Sequence, residues 1–267
     1  TRAQSWPRRS PDVPRRAAVS GFGFGGVNGH LLLEEDLGQE VPEPARPASQ
    51  PIAIVGLGAH IGPHTHRDAW LRAALKGESA AERVGEVALP VGKFRLPPHD
   101  MPSILPQQLL MLNVSAQAVE DAGLELSGPQ PGMGVYIGVS LDPETNNYHH
   151  RWLRGPEAHP ALDSTRTLGA LASIVASRVA RELSLGGPSF SLSAEEVSGL
   201  KALELAVRAL QQGELDCALV GAVDLYADPR SLHAHKQLFP TLPAGEGAVA
   251  LVLKRLGDCA PGQKIYA

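Results

Sequence analysis

The sequence predicts an α/β protein, and two observations carry that expectation. Short apolar runs that contain or border glycine recur along the chain: Ile52–Gly58, Met133–Val139, Cys217–Val223 and Gly247–Leu256. Between them lie stretches whose apolar residues repeat at helical spacing, such as Leu105, Leu109, Leu112, Ala116 and Val119. Strands alternating with helices argue for a sheet covered by helices. The chain has 267 residues, 43% of them hydrophobic and 19% charged, ordinary values for one large or two small globular domains.

The elements follow in order. Residues 1–19 are rich in Arg and Pro and read as irregular. Leu31–Leu33 reads as a buried strand, preceded by the glycine-rich run Gly21-Phe22-Gly23-Phe24-Gly25-Gly26. Residues 37–50 contain Pro42, Pro44 and Pro47 among charges and read as a semi-extended linker. Pro51 opens a new unit with the strand Ile52–Gly58. His66–Lys76 follows as a helix, with Trp70, Leu71, Ala74 and Leu75 as its apolar face. Residues 77–103 read as a long surface loop. A helix then starts near Pro106, where proline is tolerated, and stops near Gly123. After the strand Met133–Val139 comes a polar loop with Asn146, Asn147, His149 and His150. Thr165–Leu183 reads as one long core helix with a face of small residues. Ser189–Ser193 is a short strand, Val197–Gln212 a helix, and Cys217–Val223 and Gly247–Leu256 are buried strands.

Composition excludes several classes. A net charge of -4 and 4% aromatic residues give no reason to expect nucleic acid. No apolar run approaches the roughly 18 residues that cross a bilayer, and the N-terminal arginines precede no apolar stretch of a signal peptide. Cys217 and Cys259 form no Cys-x-x-Cys pair, so neither a disulfide framework nor a zinc site is expected, and a reducing cytoplasm fits. Cys217 reads as a small core residue. His60, His64 and His66, like His233 and His235, read as loop histidines rather than metal ligands. The glycine run at 21–26 lacks the Lys-Ser/Thr of a phosphate loop, and Asn113-Val114-Ser115 lies inside a predicted helix. The chain opens on Thr1 rather than methionine, which suggests a piece of something longer.

The most informative stretch is Gly187-Pro188-Ser189-Phe190-Ser191-Leu192-Ser193-Ala194-Glu195-Glu196-Val197-Ser198-Gly199-Leu200. It resembles the nucleophile elbow of β-ketoacyl synthases, close to Gly-Pro-Ser-Leu-x-Val-x-Thr-Ala-Cys-Ser-Ser. Aligned from Gly187-Pro188-Ser189, the family's reactive cysteine falls on Glu196. The likeness extends to Leu105–Leu112, Gly134–Gly138, Ala218–Ala222, Gly245–Ala248 and Lys254–Leu256. Gly25-Gly26-Val27-Asn28-Gly29-His30 is similar to the family's closing Gly-Gly-Thr-Asn-Ala-His, so the order here is tail, linker, head. The resemblance therefore implies residues 1–36 as the tail of one ketosynthase domain, 37–50 as a linker, and 51–267 as the N-terminal part of a second. A circularly permuted single domain is the alternative. Lys93–Pro98 and Leu141–Trp152 look closest to the ketosynthase and chain-length-factor pairs of polyunsaturated fatty-acid and iterative polyketide synthases.

The resemblance implies a thiolase-like layered αβαβα fold. It implies decarboxylative Claisen condensation as the reaction served, with no bound cofactor and with the phosphopantetheine of an acyl carrier protein as substrate arm. It implies a partner ketosynthase in a pseudo-dimer, and a catalytic role for His30 within the upstream unit. A helix N-terminus stabilises a carboxylate as it does a thiolate, by about 0.3–1 kcal/mol, so Glu196 suits its place but cannot carry an acyl thioester. The site is expected at Glu195, Glu196, Val197, Ser198, Gly199 and Leu200. Val197, Leu200 and the 165–183 helix are candidates for an interface or a tunnel wall. Three other readings stay open: solvated acids opening a helix, Glu196 as a general base, and an active enzyme whose nucleophile is Cys217. A dimerisation scaffold without a tunnel is a fourth.

Overall fold

A computed structural model describes residues 4–22, 28–38, 50–78, 83–90, 92–126, 128–139, 163–226 and 229–267. The glycines at 23–27, the linker at 39–49 and the loop with Asn146, Asn147, His149 and His150 lie outside the described residues. The chain divides into two compact units, Thr1–Arg46 and Pro47–Ala267.

The first unit is an antiparallel hairpin of β1 (Arg16–Phe22) and β2 (Asn28–Glu34). Strand β1 falls where the sequence reads as irregular, because Ala17-Ala18-Val19 pairs with Leu31–Leu33. Leu31, Leu32 and Leu33 form the expected strand but are exposed, at 57%, 73% and 49%. A two-stranded ribbon presents both faces, and no described part of this unit covers them. Arg8 and Arg15 converge on Glu35, and these hydrogen bonds hold its carboxyl well below the usual carboxylate range.

The second unit is built on β3 (Ile52–Ile61), β4 (Met133–Val139), β5 (Ser189–Leu192), β6 (Cys217–Asp224) and β7 (Gly247–Arg255). They form one sheet in the order β3-β7-β6-β4-β5. Strands β5, β4 and β6 are mutually parallel, while β7 is antiparallel to both β6 and β3. The helices are α1 (Arg67–Leu75), α2 (Pro106–Asp121), α3 (Ser164–Gly169), α4 (Val175–Glu182), α5 (Ser198–Gln211) and α6 (Pro229–Leu238).

Period-2 alternation sorts the strands onto two cores. Val135, Ile137 and Val139 of β4, with Leu219 of β6 and Val252 of β7, pack with α2 and α4 residues such as Leu110, Met111 and Val175. Tyr136, Ala218, Val220 and Leu253 point the other way, onto Ala202, Ala206 and Leu210 of α5. The sheet is thus covered on both faces, which is why its central strands read as unbroken apolar runs. Helix α2 is buried nearly all round. Each of Leu110, Met111 and Leu112, fully buried, contributes about 1.5–3 kcal/mol.

Three expectations are corrected here. The described residues of 77–103 form no regular element but a 3-10 turn at Met101–Ser103, yet they are not merely surface: Val84 is buried, and Val87, Leu89, Phe94 and Leu96 pack on the α2 core. In α1 the buried residue is Ala73, while Leu71 and Leu75 are exposed. The single helix expected over 165–183 is broken into α3, a 3-10 turn at Ala172–Ile174, and α4. The break has a tertiary cause. The buried Gln108 amide donates to the carbonyls of Leu168, Gly169 and Leu171, which a continuous helix would use internally. Gly169 also packs directly on the Ser103 carbonyl, where a Cβ would collide. Its residues are nonetheless core, as expected, with Ile174, Val175, Ala176 and Val179 buried.

At the outer edge, Tyr266 N–H donates to the Ile54 carbonyl and Ile54 N–H to Ala267. Asp121, at the end of α2, accepts from Leu57 N–H, Lys264 and the Tyr266 hydroxyl and pairs with Arg67. Burial alone would raise its pKa, but these donors win and hold it at about 2. Among the described residues no helix is long and apolar enough to cross a membrane.

Candidate functional site

Because β4, β5 and β6 are parallel, their carboxyl ends at Val139, Leu192 and Asp224 face one edge of the unit. Open α/β sheets bind ligands at that edge. The chain leaves β5 through Ser193–Val197 and enters α5 at Ser198, with Val197 as N-cap. Glu196 therefore sits immediately before the cap. Glu195 takes a left-handed backbone, φ 54°, costly for a residue with a Cβ. Ser198 pins the turn: its hydroxyl accepts from Ala194 N–H at 2.9 Å and donates to the Glu195 carbonyl at 2.5 Å. Gly138 of β4 lets α5 begin so close to the sheet, since a Cβ there would lie 2.5 Å from the Gly199 nitrogen.

Beneath the turn is a cavity of about 360 Å³, lined by Gly138, Glu195, Glu196, Ser198, Gly199, Asp224 and Glu246, with Ile61, Val223 and Val249 as apolar wall. Glu195 and Glu196 are exposed side chains at its rim. Val197 and Leu200 are 47% and 69% exposed and do not contribute to the wall. Glu246 is buried and serves as a staple, accepting from Val84 N–H at 2.9 Å and Tyr226 N–H at 3.0 Å. The Tyr226 phenol is held above its ordinary pKa, first by burial and then by the charges of Asp224 and Glu196. Its ring meets His235 edge-on at 5.0 Å, and His235 packs against Phe239.

Three of the histidines differ from the expected loop placement. His60 is no loop residue: it lies in β3, 4% exposed, and neither ring nitrogen has a hydrogen-bond partner among the described residues. Burial, above all, lowers its pKa. His233 and His235 belong to α6. His30 is exposed in β2, its Nδ1 2.8 Å from Ser20 Oγ across the hairpin. Among the described residues no three His, Cys, Asp or Glu side chains gather as a metal site.

Cys217 lies at the opposite end of the sheet. It starts β6, whose eight residues end at Asp224 on the cavity wall. At about 3.3 Å per residue that is roughly 23 Å away. Cys217 is 8% exposed, and burial pushes its thiol up to about 11. It borders a second cavity of about 580 Å³ with Met133, Lys254 and Arg255. Cys259, the other thiol, is half-buried and contacts the Arg255 carbonyl.

Residues 88–258, more than half of the chain, match the family described as beta-ketoacyl synthase, N-terminal domain. The chain belongs to the β-ketoacyl synthase family. A polyunsaturated fatty acid synthase polypeptide of Thraustochytrium sp. is 29% identical over 98% of this chain, which spans 16% of that protein. The solved keto synthase–chain length factor of PfaC superposes with a TM-score of 0.67 over 94% of this chain and 34% of its own, at 22% identity, a likeness of fold. A ketosynthase from module 6 of the bacillaene synthase of Bacillus subtilis 168 superposes with a TM-score of 0.62 and 25% identity, covering 78% of this chain and 40% of its own. The ketosynthase-like, thiolase-type α/β fold expected from the sequence is thus present. Sequence reasoning missed Asp224, Tyr226 and Glu246 as members of the site. The signal for Asp224 was an acid directly following the apolar strand; for Glu246 it was an acid between two glycines.

Proposed function

We propose that residues 51–267 are a ketosynthase-like unit of the chain-length-factor type. It lacks a nucleophile and pairs with an active ketosynthase in decarboxylative Claisen condensation during fatty-acid or polyketide synthesis. The substrate would arrive on the phosphopantetheine arm of an acyl carrier protein. Residues 1–36 would be the tail of the preceding ketosynthase domain, where His30 would serve, and 37–50 the linker. The observation that carries this reading is the absence of any cysteine from the cavity wall at the strand ends, where Glu196 occupies the place of the family's thiol. A carboxylate there can accept hydrogen bonds but forms no stable thioester.

Two rival readings draw less support. An active enzyme using Cys217 would need a nucleophile that is buried, protonated and distant from the elbow. A scaffold without a tunnel leaves the cavity beside Glu196 without a purpose. Incubation of the 1–267 chain with radiolabelled acyl-pantetheine tests the proposal. No covalent label is expected; label mapped to Glu196 or Cys217 overturns it.

A further inference from the structure

We propose that residues 264–267 are a clasp that keeps the outer edge of the sheet from pairing with a second copy of this chain, and that Asp121 locks it. Strand β3 is outermost, so the backbone groups that do not face β7 point away from the sheet. Such a row of N–H and C=O groups pairs with an extended strand that meets it. The same edge on a second copy is such a strand, because two like edges can meet antiparallel about a two-fold axis. In this chain the row is closed at three points. Ile54 donates its N–H to the Ala267 carbonyl at 2.9 Å and accepts from Tyr266 N–H at 2.8 Å. Leu57 N–H donates to Asp121 Oδ2 at 2.9 Å. Ile61 and His64 exchange a pair of backbone hydrogen bonds, each of 3.0 Å.

The closure at Ile54 comes from a segment far away in sequence, and two backbone hydrogen bonds alone would hold it weakly. Asp121 supplies the rest. Its Oδ1 accepts from Lys264 Nζ at 2.5 Å and lies 2.9 Å from Arg67 Nη1. Its Oδ2 accepts from the Tyr266 hydroxyl at 2.7 Å as well as from Leu57. Arg67 also donates to the Tyr266 hydroxyl, and Arg67 Cζ and Lys264 Nζ lie 5.3 and 4.9 Å from the centre of the Tyr266 ring. Hydrogen bonds to an ionised group are the stronger kind, and here one carboxylate joins α1, α2, β3 and the tail. Its position does not serve α2, since an acid at the last residue of a helix faces the negative end of the helix dipole. Gly56 and Gly58 bring it within reach of Leu57. A Cβ at either would lie 2.2 Å from the Ala118 or the Val114 carbonyl, so α2 rests directly on β3. The same residue thus covers one outward N–H itself and holds in place the segment that covers Ile54.

The test uses the whole 1–267 chain. The double variant Lys264→Ala/Tyr266→Phe removes the side-chain bonds of the tail and leaves Asp121 and α2 in place. Amide hydrogen exchange followed by NMR should show Ile54 and residue 266 exchanging faster by roughly tenfold or more, the scale of a lost hydrogen bond to a charged group. Leu57, still bonded to Asp121, and Val220, buried in β6, should keep the wild-type rate. In Asp121→Ala, Leu57 should speed up too. Sedimentation velocity should show a self-association step in both variants that the wild type lacks at the same concentration. A free peptide of residues 260–267 in large excess should suppress that step by occupying the edge. Unchanged exchange at Ile54 in the double variant overturns the proposal, as does faster exchange at Val220, which reads global unfolding. Self-association no greater than that of the wild type, or one that the peptide leaves intact, overturns it as well. The double variant carries every one of these readouts, so a misfolded Asp121→Ala leaves the test intact.

Discussion

The two ends of the sheet in residues 51–267 hold the two halves of a nucleophile. The carboxyl ends of the strands offer what a reactive thiol needs: a strained turn, a helix N-terminus and a cavity. What stands there is Glu196. The amino end of β6 supplies a thiol, Cys217, but one that is buried and has its pKa pushed up to about 11. Position, more than residue type, decides reactivity, because a thiolate forms only where charge is stabilised. In this chain position and residue type are separated by the length of a strand.

The largest expected effect comes from uniting them. The thiol introduced by Glu196→Cys should have a pKa near that of an exposed cysteine, about 8.5, because the helix start lowers it and the neighbouring Glu195 carboxylate raises it. At pH 7.5 its greater ionisation, discounted for the higher intrinsic reactivity of the more basic thiolate, favours it over Cys217 about 25-fold. The burial of Cys217 at 8% exposure should raise that to a hundredfold or more. Iodoacetamide labelling followed by peptide mapping measures it. Comparable labelling of the two sites would erase the contrast between the ends.

A smaller effect appears in stability against pH, and the two ends should contribute opposite limbs. Cys217 is held protonated, so the fold binds its proton more tightly than the unfolded chain does. That stabilisation is complete below the unfolded pKa and is lost as pH rises from about 9 to about 11, at roughly 1.4 kcal/mol per unit. His60, beside the elbow-end cavity, has the opposite linkage. Burial holds it neutral, so the unfolded chain binds more protons and stability falls as pH drops below about 6.5. Urea unfolding across pH should show both losses. Cys217→Ala should remove the alkaline one and His60→Phe the acid one. An acid limb unchanged in the His60 variant would mean that the ring finds a proton acceptor on folding.

Much of this comparison was legible in the sequence. Apolar runs gave β4, β6 and β7 to within a residue and β3 all but its last three residues, because a strand buried on both faces leaves an unmistakable composition. The displaced cysteine was visible as a gap in a motif. Burial was less legible. Leu31–Leu33 reads as core because nothing in a run of leucines tells which faces are covered. The break in 165–183 was invisible because its cause, the Gln108 amide, lies some sixty residues away in α2. The acidity of the cavity was hidden too, since Asp224 reaches Glu195 and Glu196 only when parallel strands align their ends.

The smallest effect separates strain that serves a helix from strain that serves a site. Among the described residues, two with side chains have a left-handed backbone: Ser184 at φ 57° and Glu195 at φ 54°. Ser184 follows α4, with Leu185 N–H bonded to the Ala180 carbonyl and its own N–H to Arg181. This is the ordinary Schellman ending, in which the left-handed residue closes a helix. No helix ends before Glu195; its conformation comes from the tight passage of β5 into α5 under the Ser198 clamp. Glycine relieves either site but gains freedom on unfolding, so Ser184→Gly and Glu195→Gly should each stabilise by no more than about 1 kcal/mol in urea. Only at Glu195 does the strained residue border a cavity. A Glu195→Gly variant destabilised by more than about 1 kcal/mol would show that the carboxylate side chain holds the turn, and that the elbow is not strained in its own right.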